Sequence, residues 1–250
     1  MNLAWALIIV GAYGLGSIPF GVVIGRARGV NLLREGSRNP GASNVTRLLG
    51  KRLGILCFFL DMGKGVIPVI VAGVMFDLLG DRPASSDPTV AVLTRTEMWL
   101  WLSVACAAVL GHMRSPWLGF RGGKGVATGF GAMVAMWEVL TFPALATVVV
   151  WYGVLRMTRY VSVASVLAVM SLPVGYLLWA LPRDALEQPL SVSIDRLMVA
   201  SPPLIVTTAM AVLITYLHRG NLARIRRGEE PKVRGKARRG PVIEESRPGA

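Results

Sequence analysis

Apolar runs of bilayer length constrain this chain more than any other feature of its sequence. The first run, residues 3–24, contains no charged residue, and six more follow it. A helix rises about 1.5 Å per residue, so about 20 apolar residues cross the ~30 Å hydrocarbon core of a bilayer. The runs do not alternate apolar with polar residues, as strands of a transmembrane barrel would. The sequence therefore predicts an all-α polytopic membrane protein with about seven transmembrane helices.

The remaining six runs contain few charged residues but differ in length. Residues 126–137 are too few to cross a bilayer unless part of the preceding loop is also helical. Cys57 and Cys106 lie within apolar runs, which predicts packing residues and no disulfide framework. The other six runs cover residues 53–79, 98–110, 126–137, 139–155, 161–181 and 204–217.

The distribution of lysine and arginine predicts the orientation of these spans. With the N-terminus outside, the cytoplasmic segments hold 22 lysines and arginines and the outer loops, residues 80–97 and 182–200, hold 4. This asymmetry follows the positive-inside rule and places the C-terminus and every glycine- and cation-rich loop in the cytoplasm. It also accounts for most of the net charge of +13 without a nucleic-acid partner. We expect a multi-pass protein of the cell inner membrane.

The sequence predicts one domain and a short tail. Residues 1–230 contain all of the apolar runs and form a single transmembrane domain. Residues 231–250 are rich in arginine, lysine, glycine and proline and have little to bury, so we expect a disordered basic tail. At most, such a tail attracts anionic lipid head groups.

Residues 111–128 interrupt the apolar sequence with a histidine, two arginines and a lysine among glycines. Glycines let backbone N–H groups face a ligand, and the cations supply charge for an anion, so we interpret the segment as a phosphate-binding loop. It is not a nucleotide-binding P-loop, because Gly119 to Lys124 is one residue short and Gly125 stands where serine or threonine is required. Helix packing is the alternative for Gly125 and Gly129, although it does not account for the cations.

Other segments carry polar donors. Residues 35–47 combine an Asn-Pro-Gly turn with arginines that can bind phosphate bidentately, although an ordinary basic loop explains that spacing equally well. His218 and Asn221 share a face if the chain is helical there, but a terminal histidine beside snorkelling arginines is commoner. Asp61 and Lys64 lie just inside the second run, where an ionisable pair indicates either function or a structural ion pair.

The sequence shows no built-in nucleophile and no metal site. The chain has only two histidines, His112 and His218, and neither is followed by the aspartate of the His-x₄-Asp pattern found in acyl-CoA-type glycerolipid acyltransferases. A Gly-x-Ser-x-Gly elbow is also absent from the sequence. We therefore predict that the protein uses no metal and no cofactor.

Together these segments resemble three motifs of the bacterial acyl-phosphate:glycerol-3-phosphate acyltransferases (the PlsY type). The similarity runs from the first apolar run to about Glu230, and the motifs occur in the family's order on one predicted face. The matching segments are residues 36–44 with Arg47, residues 111–128, and His218-Arg219 with Asn221.

The resemblance implies a reaction at the start of phospholipid biosynthesis. An acyl group would pass from acyl phosphate to the 1-hydroxyl of sn-glycerol 3-phosphate, giving lysophosphatidate and inorganic phosphate. The partners would be these two small molecules and the bilayer. A separate acyl-phosphate-forming enzyme would supply the donor, without a stable complex being implied.

The resemblance also implies which residues form the site. The catalytic residues would be Ser37, Lys124 and His218. The glycerol phosphate would be bound by Ser37, Arg47, Lys124, His218 and Asn221. The acyl phosphate would be bound by Asn39, Asn44, Gly122, Gly123, Lys124 and Gly125.

The chain departs from the family pattern at four positions. Arg38 stands where the family usually has glycine, and Ser43 stands where it usually has threonine. Pro116 falls one position later than the usual proline, and Arg114 replaces an aromatic residue. These departures concern the shape of the site.

The implied chemistry agrees with the residues present. An acyl phosphate is already activated, so positioning two anionic substrates together can supply much of the rate. Lys124, Arg47 and the glycine amides would offset phosphate repulsion and the charge that develops on the leaving group. Either the leaving phosphate or His218 would accept the hydroxyl proton. A transporter for organic phosphates, which would place ionisable residues near mid-span, and a lipid-phosphate phosphatase are the alternatives.

Overall fold

The computed structural model describes residues 2–80, 93–180 and 190–233, and it describes their side chains except at 190–197, 199 and 200. Apart from one isolated bridge between Ser115 and Arg121, these residues form helices, turns and loops, which confirms the all-α prediction. The helices are α1 (Leu3–Ser17), α2 (Phe20–Arg26), α3 (Ala42–Leu49), α4 (Lys51–Met75), α5 (Arg95–Met113), α6 (Val126–Ala135), α7 (Thr141–Thr158), α8 (Val161–Ala180), α9 (Leu190–Leu217) and α10 (Arg219–Arg226), with a 3₁₀ turn at Pro116–Leu118.

Within the described residues, each predicted apolar run is helical over most of its length, but the helices differ in length. Among the described residues, four segments are long and apolar enough to cross a membrane, and a fifth is reached if the end of α9 and α10, bent by 47°, are taken as one span. The ten residues of α6 rise only about 15 Å, about half of the hydrocarbon core. The chain is thus a multi-pass helical protein, whereas seven crossings and their orientation stay predictions.

The first predicted span is divided by a break at Ile18 and Pro19. Proline has no N–H and disfavours helical backbone in the residue before it. Ile18 accordingly leaves α1 with extended backbone, and Pro19 caps the start of α2. The break leaves the carbonyl of Ile18 free to accept a hydrogen bond from Lys64 Nζ at 2.8 Å.

The predicted outer loop at residues 182–200 is wrong over its second half. Helix α9 begins at Leu190 and continues through Pro202 and Pro203 to Leu217. The helix is therefore longer at its start than the apolar run at residues 204–217, and it contains both prolines. Membrane helices tolerate internal proline when neighbouring groups satisfy the freed carbonyls, and Ser201 Oγ donates at 2.7 Å to the carbonyl of Met198, which Pro202 leaves without its helical N–H partner.

Helix α5 lies at the centre of the fold and packs against α1, α4, α6 and α9. Most of its middle is buried, with Trp101, Leu102 and Ala105 fully inaccessible. The indole Nε1 of Trp101 donates to the carbonyl of Val69 in α4 at 2.9 Å, which satisfies its one polar atom. Residues 111–128 begin at the end of this central helix and are therefore fixed to the most enclosed part of the protein.

Helix α3 is short and lies on the start of α4. Its apolar face contributes Val45, which packs with Leu32 and Cys57 in a small separate core. The opposite face is solvent-exposed and carries Arg47 in its last turn. Amphipathic packing therefore determines the side of α3 on which this arginine is presented.

Candidate active site

Residues 114–121 form a loop that is fastened to the end of α1. Ser115 is buried, and its Oγ donates to the carbonyl of Ser17 at 2.6 Å. Tyr13 Oη donates to the carbonyl of Arg114 at 2.7 Å, and Trp117 Nε1 donates to Ser17 Oγ at 3.0 Å. These contacts hold in place the segment that leads into the predicted phosphate-binding glycines.

Gly122 and Gly123 fold back over His112, and both positions require glycine. A Cβ on Gly122 would lie 2.1 Å from the carbonyl oxygen of His112, and one on Gly123 would lie 1.9 Å from His112 Nε2. The amide of Gly123 donates to the same carbonyl at 3.0 Å. Gly125 follows with φ of 81° and caps the start of α6, so it is a turn residue, and it also packs closely against Met113 and Val109 of α5. The loop is compact and approaches the imidazole directly.

Lys124 points away from His112 towards α10. Its Nζ donates to Asn221 Oδ1, and Asn221 Nδ2 in turn donates to Glu230 Oε1 at 2.6 Å. Arg224 Nε donates to Glu230 Oε2 at 2.8 Å. Two predicted site residues that lie 97 positions apart in the chain, Lys124 and Asn221, are therefore in contact.

The surroundings of Lys124 weaken its hold on a proton. Burial lowers the pKa of Lys124 from its usual value to about 8, Glu230 opposes this shift, and the positive charges of Arg224 and Arg47 add to it. The lysine is therefore still mostly protonated at neutral pH, but it is partly desolvated and repelled by other cations. An anionic ligand beside Lys124 would relieve both effects.

His218 lies beyond the end of α9, at the start of α10, and is 4% exposed. Burial lowers its pKa to about 4, with a further contribution from the positive charge of Lys124. Its Nδ1 lies 2.8 Å from the carbonyl oxygen of Ile214. A carbonyl only accepts hydrogen bonds, so Nδ1 carries the proton of the neutral ring and Nε2 keeps a lone pair.

The 35–47 segment is organised around Asn44. This buried side chain accepts from the amide of Ser37 at 2.9 Å and donates to the carbonyls of Leu32 and Glu35, both at 3.2 Å. All of the hydrogen atoms of its amide are therefore used by the loop backbone. Asn39 Oδ1 accepts from the amide of Gly41 at 3.0 Å in a local turn. The Ser37 hydroxyl has no partner within the described part of the chain.

Arg38 occupies left-handed backbone, with φ of 56°. Only glycine adopts this region without steric cost, which gives a structural reason for the glycine that the family usually has here. The turn is therefore retained in this chain despite the substitution. The side chain of Arg38 is exposed and leaves the buried side of the loop to Asn44.

Lys124, Asn221, Arg224 and Glu230 are joined by hydrogen bonds and are called the Lys124 group. Arg47 acts on this group electrostatically and not through a hydrogen bond. No hydrogen bond among the described residues joins the 37–47 segment to Lys124 or Asn221, yet the charge of Arg47 lowers the pKa of Lys124. Three cations, Arg47, Lys124 and Arg224, thus act together with one carboxylate, Glu230. The surplus of positive charge suits an anion such as a phosphate ester.

Asp61 and Lys64 form a buried ion pair, as one of the two sequence interpretations predicted. Lys64 Nζ lies 2.9 Å from Asp61 Oδ1, and both side chains are almost wholly inaccessible. Lys64 Nζ also lies 2.9 Å from His112 Nδ1. This second polar group therefore lies beneath the glycine loop, apart from the Lys124 group.

Sequence reasoning missed the role of Glu230. It is buried, and it accepts from Asn221, Arg224 and Ser162 Oγ, the last at 3.4 Å. The available signal was a pair of acidic residues, Glu229 and Glu230, at the end of a strongly basic stretch. Such acids usually lie on a solvated face, so the pattern alone did not distinguish this one.

The chain is similar to known proteins over almost its whole length. The family model described as glycerol-3-phosphate acyltransferase matches residues 6–228. A glycerol-3-phosphate acyltransferase of Aquifex aeolicus is 37% identical over 223 residues, which are 89% of this chain and 96% of that protein. A glycerol-3-phosphate acyltransferase of Anaeromyxobacter dehalogenans is 38% identical over 235 residues, which are 93% of this chain and 98% of that protein.

The fold is similar to that of a solved membrane enzyme. The crystal structure of PlsY (YgiH), an integral membrane glycerol 3-phosphate acyltransferase in its glycerol 3-phosphate form, aligns with a TM-score of 0.71 at 35% identity and covers 92% of this chain and 96% of that one. Its lysophosphatidic acid form aligns with a TM-score of 0.69. Sequence, length and fold agree, and the chain belongs to the glycerol-3-phosphate acyltransferase family.

Proposed function

We propose that this protein transfers an acyl group from acyl phosphate to the 1-hydroxyl of sn-glycerol 3-phosphate. The products are 1-acyl-glycerol 3-phosphate (lysophosphatidate) and inorganic phosphate. The observation that carries the proposal is the contact of Lys124 with Asn221 beside His218, directly after a glycine loop and within a surplus of positive charge. Two phosphate-bearing substrates need just such a surplus, and neither a metal nor an enzyme nucleophile is required.

The glycerol phosphate is assigned to the Lys124 group. Lys124, Arg47 and Asn221 bind its phosphate, with Lys124 exchanging its contact to Asn221 for the ligand. Ser37, whose hydroxyl is unused within the described residues, contributes a further hydrogen bond. Asn44 is assigned a supporting role, because its amide already fixes the backbone at Ser37. This narrows the expectation that Asn44 binds the acyl phosphate.

The acyl phosphate is assigned to the glycine loop, residues 122–125. Asn39, two residues after Ser37, is assigned to the same substrate. Its acyl chain lies among the apolar helices and enters from the bilayer. The hydroxyl oxygen attacks the carbonyl carbon, a carbon–oxygen bond forms, and the bond from that carbon to the phosphate oxygen breaks. The phosphate leaves with the electron pair, and the backbone amides and Lys124 offset the charge that develops on it.

The hydroxyl proton has two candidate acceptors, His218 Nε2 and the leaving phosphate. A pKa of about 4 makes His218 a weak base in the ligand-free protein, which favours the phosphate as acceptor and His218 as the group that orients the hydroxyl. Replacing His218 with glutamine separates the two roles. If glycerol-phosphate affinity falls while the single-turnover rate at saturation is unchanged, His218 is not the base; a fall in that rate of about 10²-fold or more would assign it as the base.

The assay that tests the proposal uses purified protein in lipid with labelled glycerol 3-phosphate. Acyl phosphate, acyl-CoA and acyl carrier protein thioester are supplied separately as donors. Lysophosphatidate and inorganic phosphate should form in equal amounts with acyl phosphate. Arg47→Ala should raise the KM for glycerol phosphate, while Arg34→Ala, an exposed arginine just before the 35–47 segment, should not. Absence of lysophosphatidate with acyl phosphate would overturn the proposal.

We also propose that the protein crosses the inner membrane seven times with its N-terminus outside. The support is the excess of lysine and arginine in the segments proposed as cytoplasmic, which include the loops that carry the site: 22, against 4 in the outer loops. This orientation exposes the Lys124 group to the cytoplasm, where a soluble glycerol phosphate can reach it. The acyl donor, by contrast, reaches the same site from the bilayer.

A further inference from the structure

The group formed by Asp61, Lys64 and His112 lies outside the reaction as proposed above. It joins α4 to the end of α5 directly beneath Gly122 and Gly123. All three side chains are buried, and burying charge is costly unless each group is paired. A small cavity borders the group and is lined in part by Ser17, Ser115 and the two glycines.

The hydrogen bonds of Lys64 determine the state of His112. A lysine ammonium has three protons and can only donate. Lys64 Nζ has three acceptors, namely Asp61 Oδ1 at 2.9 Å, the carbonyl of Ile18 at 2.8 Å and His112 Nδ1 at 2.9 Å. Nδ1 is therefore an acceptor, since a proton on it would face the ammonium, and Asp61 Oδ1 lies 3.6 Å from Nδ1, too far to accept such a proton in a normal hydrogen bond. A neutral imidazole that accepts at Nδ1 carries its hydrogen on Nε2.

Nε2 of His112 faces the glycine loop. It lies so close to Gly123 that a Cβ there would be 1.9 Å away, and the ring borders the cavity that Gly122 also lines. No described residue accepts a hydrogen bond from it. The ion pair of Asp61 and Lys64 thus holds an otherwise unused N–H against the loop to which the acyl phosphate is assigned.

We propose that His112 is a further catalytic residue, whose Nε2–H donates a hydrogen bond to an oxygen of the acyl-phosphate group. This rests on the proposed function. In the reaction, negative charge grows on the carbonyl oxygen and on the oxygen that leaves with the phosphate. A fixed donor in a water-poor site stabilises that charge more strongly than water would. Asp61 and Lys64 are positioning residues that set the tautomer and the ring orientation.

The two histidines of the chain then have opposite tasks and opposite tautomers. His112 accepts from Lys64 at Nδ1 and presents an N–H at Nε2. His218 donates from Nδ1 to the carbonyl of Ile214 and presents a lone pair at Nε2. One histidine therefore offers a donor to the electrophile, and the other offers an acceptor to the hydroxyl.

Two substitutions at His112 separate a donor from a purely structural histidine. Glutamine places an amide N–H near the position of Nε2 but loses the acceptor for Lys64. Asparagine keeps an acceptor near the position of Nδ1 but does not reach the loop. Removing one such donor typically lowers kcat by about 10²–10³-fold, so His112→Asn should lower kcat/KM for acyl phosphate by about 10²-fold. His112→Gln should stay within about tenfold of wild type.

Glycerol-phosphate affinity is measured on both variants as a control and should change little, whereas the melting temperature should fall more for His112→Gln, which leaves Lys64 without one acceptor. If His112→Asn is the more active variant, the histidine acts mainly as the hydrogen-bond acceptor of Lys64, and the inference is wrong. It is also wrong if both variants keep full activity or if both lose it equally. A wild-type enzyme that does not turn over acyl phosphate would instead overturn the proposed function.

The tautomers can be observed without turnover. The chain contains only two histidines, so [15N]histidine-labelled, tag-free protein in lipid gives two imidazole rings by magic-angle-spinning NMR. His218→Gln removes one ring and assigns the other. We expect His112 as the neutral Nε2–H tautomer and His218 as the neutral Nδ1–H tautomer at pH 7. An Nδ1–H or doubly protonated ring at His112 would overturn the inference, whatever the activity assay shows.

Discussion

At the scale of single residues, the candidate site depends on basic side chains whose pKa values are lowered by burial. Lys124 is desolvated, has an amide as its hydrogen-bond partner, and lies in the field of two arginines. Its pKa of about 8 is low for a lysine, but it still leaves the ammonium form in the majority at neutral pH. The residue is therefore suited to bind a phosphate and is also sensitive to modest alkalinity.

The lowered pKa of Lys124 predicts how kcat/KM for glycerol phosphate falls at alkaline pH. The pKa of Lys124 is lowered to about 8, so the cation is present below that pH and is lost as the pH rises through it. Since kcat/KM reports the free enzyme, kcat/KM for glycerol phosphate should fall above about pH 8, approaching tenfold per pH unit. Lys124→Arg should lower activity overall, because the two cations differ in shape, but should remove this limb because arginine stays protonated.

The control for this profile is Lys51→Arg, the same exchange at an exposed position at the start of α4. Its limb should coincide with that of the wild type. Rates without enzyme are subtracted at each pH, because acyl phosphates hydrolyse in alkali. A limb that persists in Lys124→Arg would show that another group titrates and that Lys124 is not the phosphate-binding cation.

At the scale of helices and loops, the site is assembled from elements that are distant in the chain. The glycine loop ends the central helix α5, Arg47 is presented by the amphipathic helix α3, and Asn221 is presented by α10. The bend of 47° after α9 turns α10 so that Asn221 meets Lys124. Glu230 then fixes α10 through Asn221 and Arg224.

A pair of truncations tests whether Glu230 fixes α10. A stop after Val233 keeps Glu230 and removes only residues of the predicted tail, so kcat and KM should remain within about twofold of wild type. A stop after Gly228 removes Glu230, and hydrogen bonds to charged groups are worth about 1.5–3 kcal/mol each. We expect the KM for glycerol phosphate to rise at least about tenfold in that shorter protein. Steady-state kinetics in the same lipid measure both.

Glu230→Gln in the full-length chain is the matched control for these truncations. It retains an acceptor for Asn221 but loses the charge that pairs with Arg224, so its KM should lie between those of the two truncated proteins. Equal activity of the two truncated proteins would contradict the assigned role of Glu230. Equal loss in both would show that the tail itself is required.

The sequence was enough to propose candidate site residues, but it did not predict which of them contact one another. Glycine, cation and histidine patterns pointed to Lys124, His218 and Asn221 because those residue types are unusual beside apolar runs. The pairing of Lys124 with Asn221 spans 97 residues and depends on how α9 bends, which no local pattern records. The start of α9 also differs from the prediction, since the helix begins at Leu190 and continues through Pro202 and Pro203, which a membrane helix tolerates.

At the scale of the whole molecule, the fold places a polar, charged region at one end of a bundle whose sides are apolar. Buried polar groups lie at one end of the central helix α5, near the break after α1. The short helices α3 and α10 carry arginines at the same end. The remaining helices expose large apolar side chains along their sides, as expected for contact with lipid. A water-soluble substrate and a lipid-soluble one can meet at such a place only if that end faces the compartment that supplies the soluble one.

The orientation is therefore the prediction that concerns the molecule as a whole. Glu229 and Thr96 are both exposed, and the charge distribution places Glu229 in the cytoplasm and Thr96 outside. A membrane-impermeant maleimide should label Thr96→Cys in intact spheroplasts and label Glu229→Cys only after lysis. The wild-type protein provides the blank, because Cys57 is buried and Cys106 partly buried. Labelling of Glu229→Cys in intact cells would reverse the orientation and leave the Lys124 group without access to cytoplasmic glycerol phosphate.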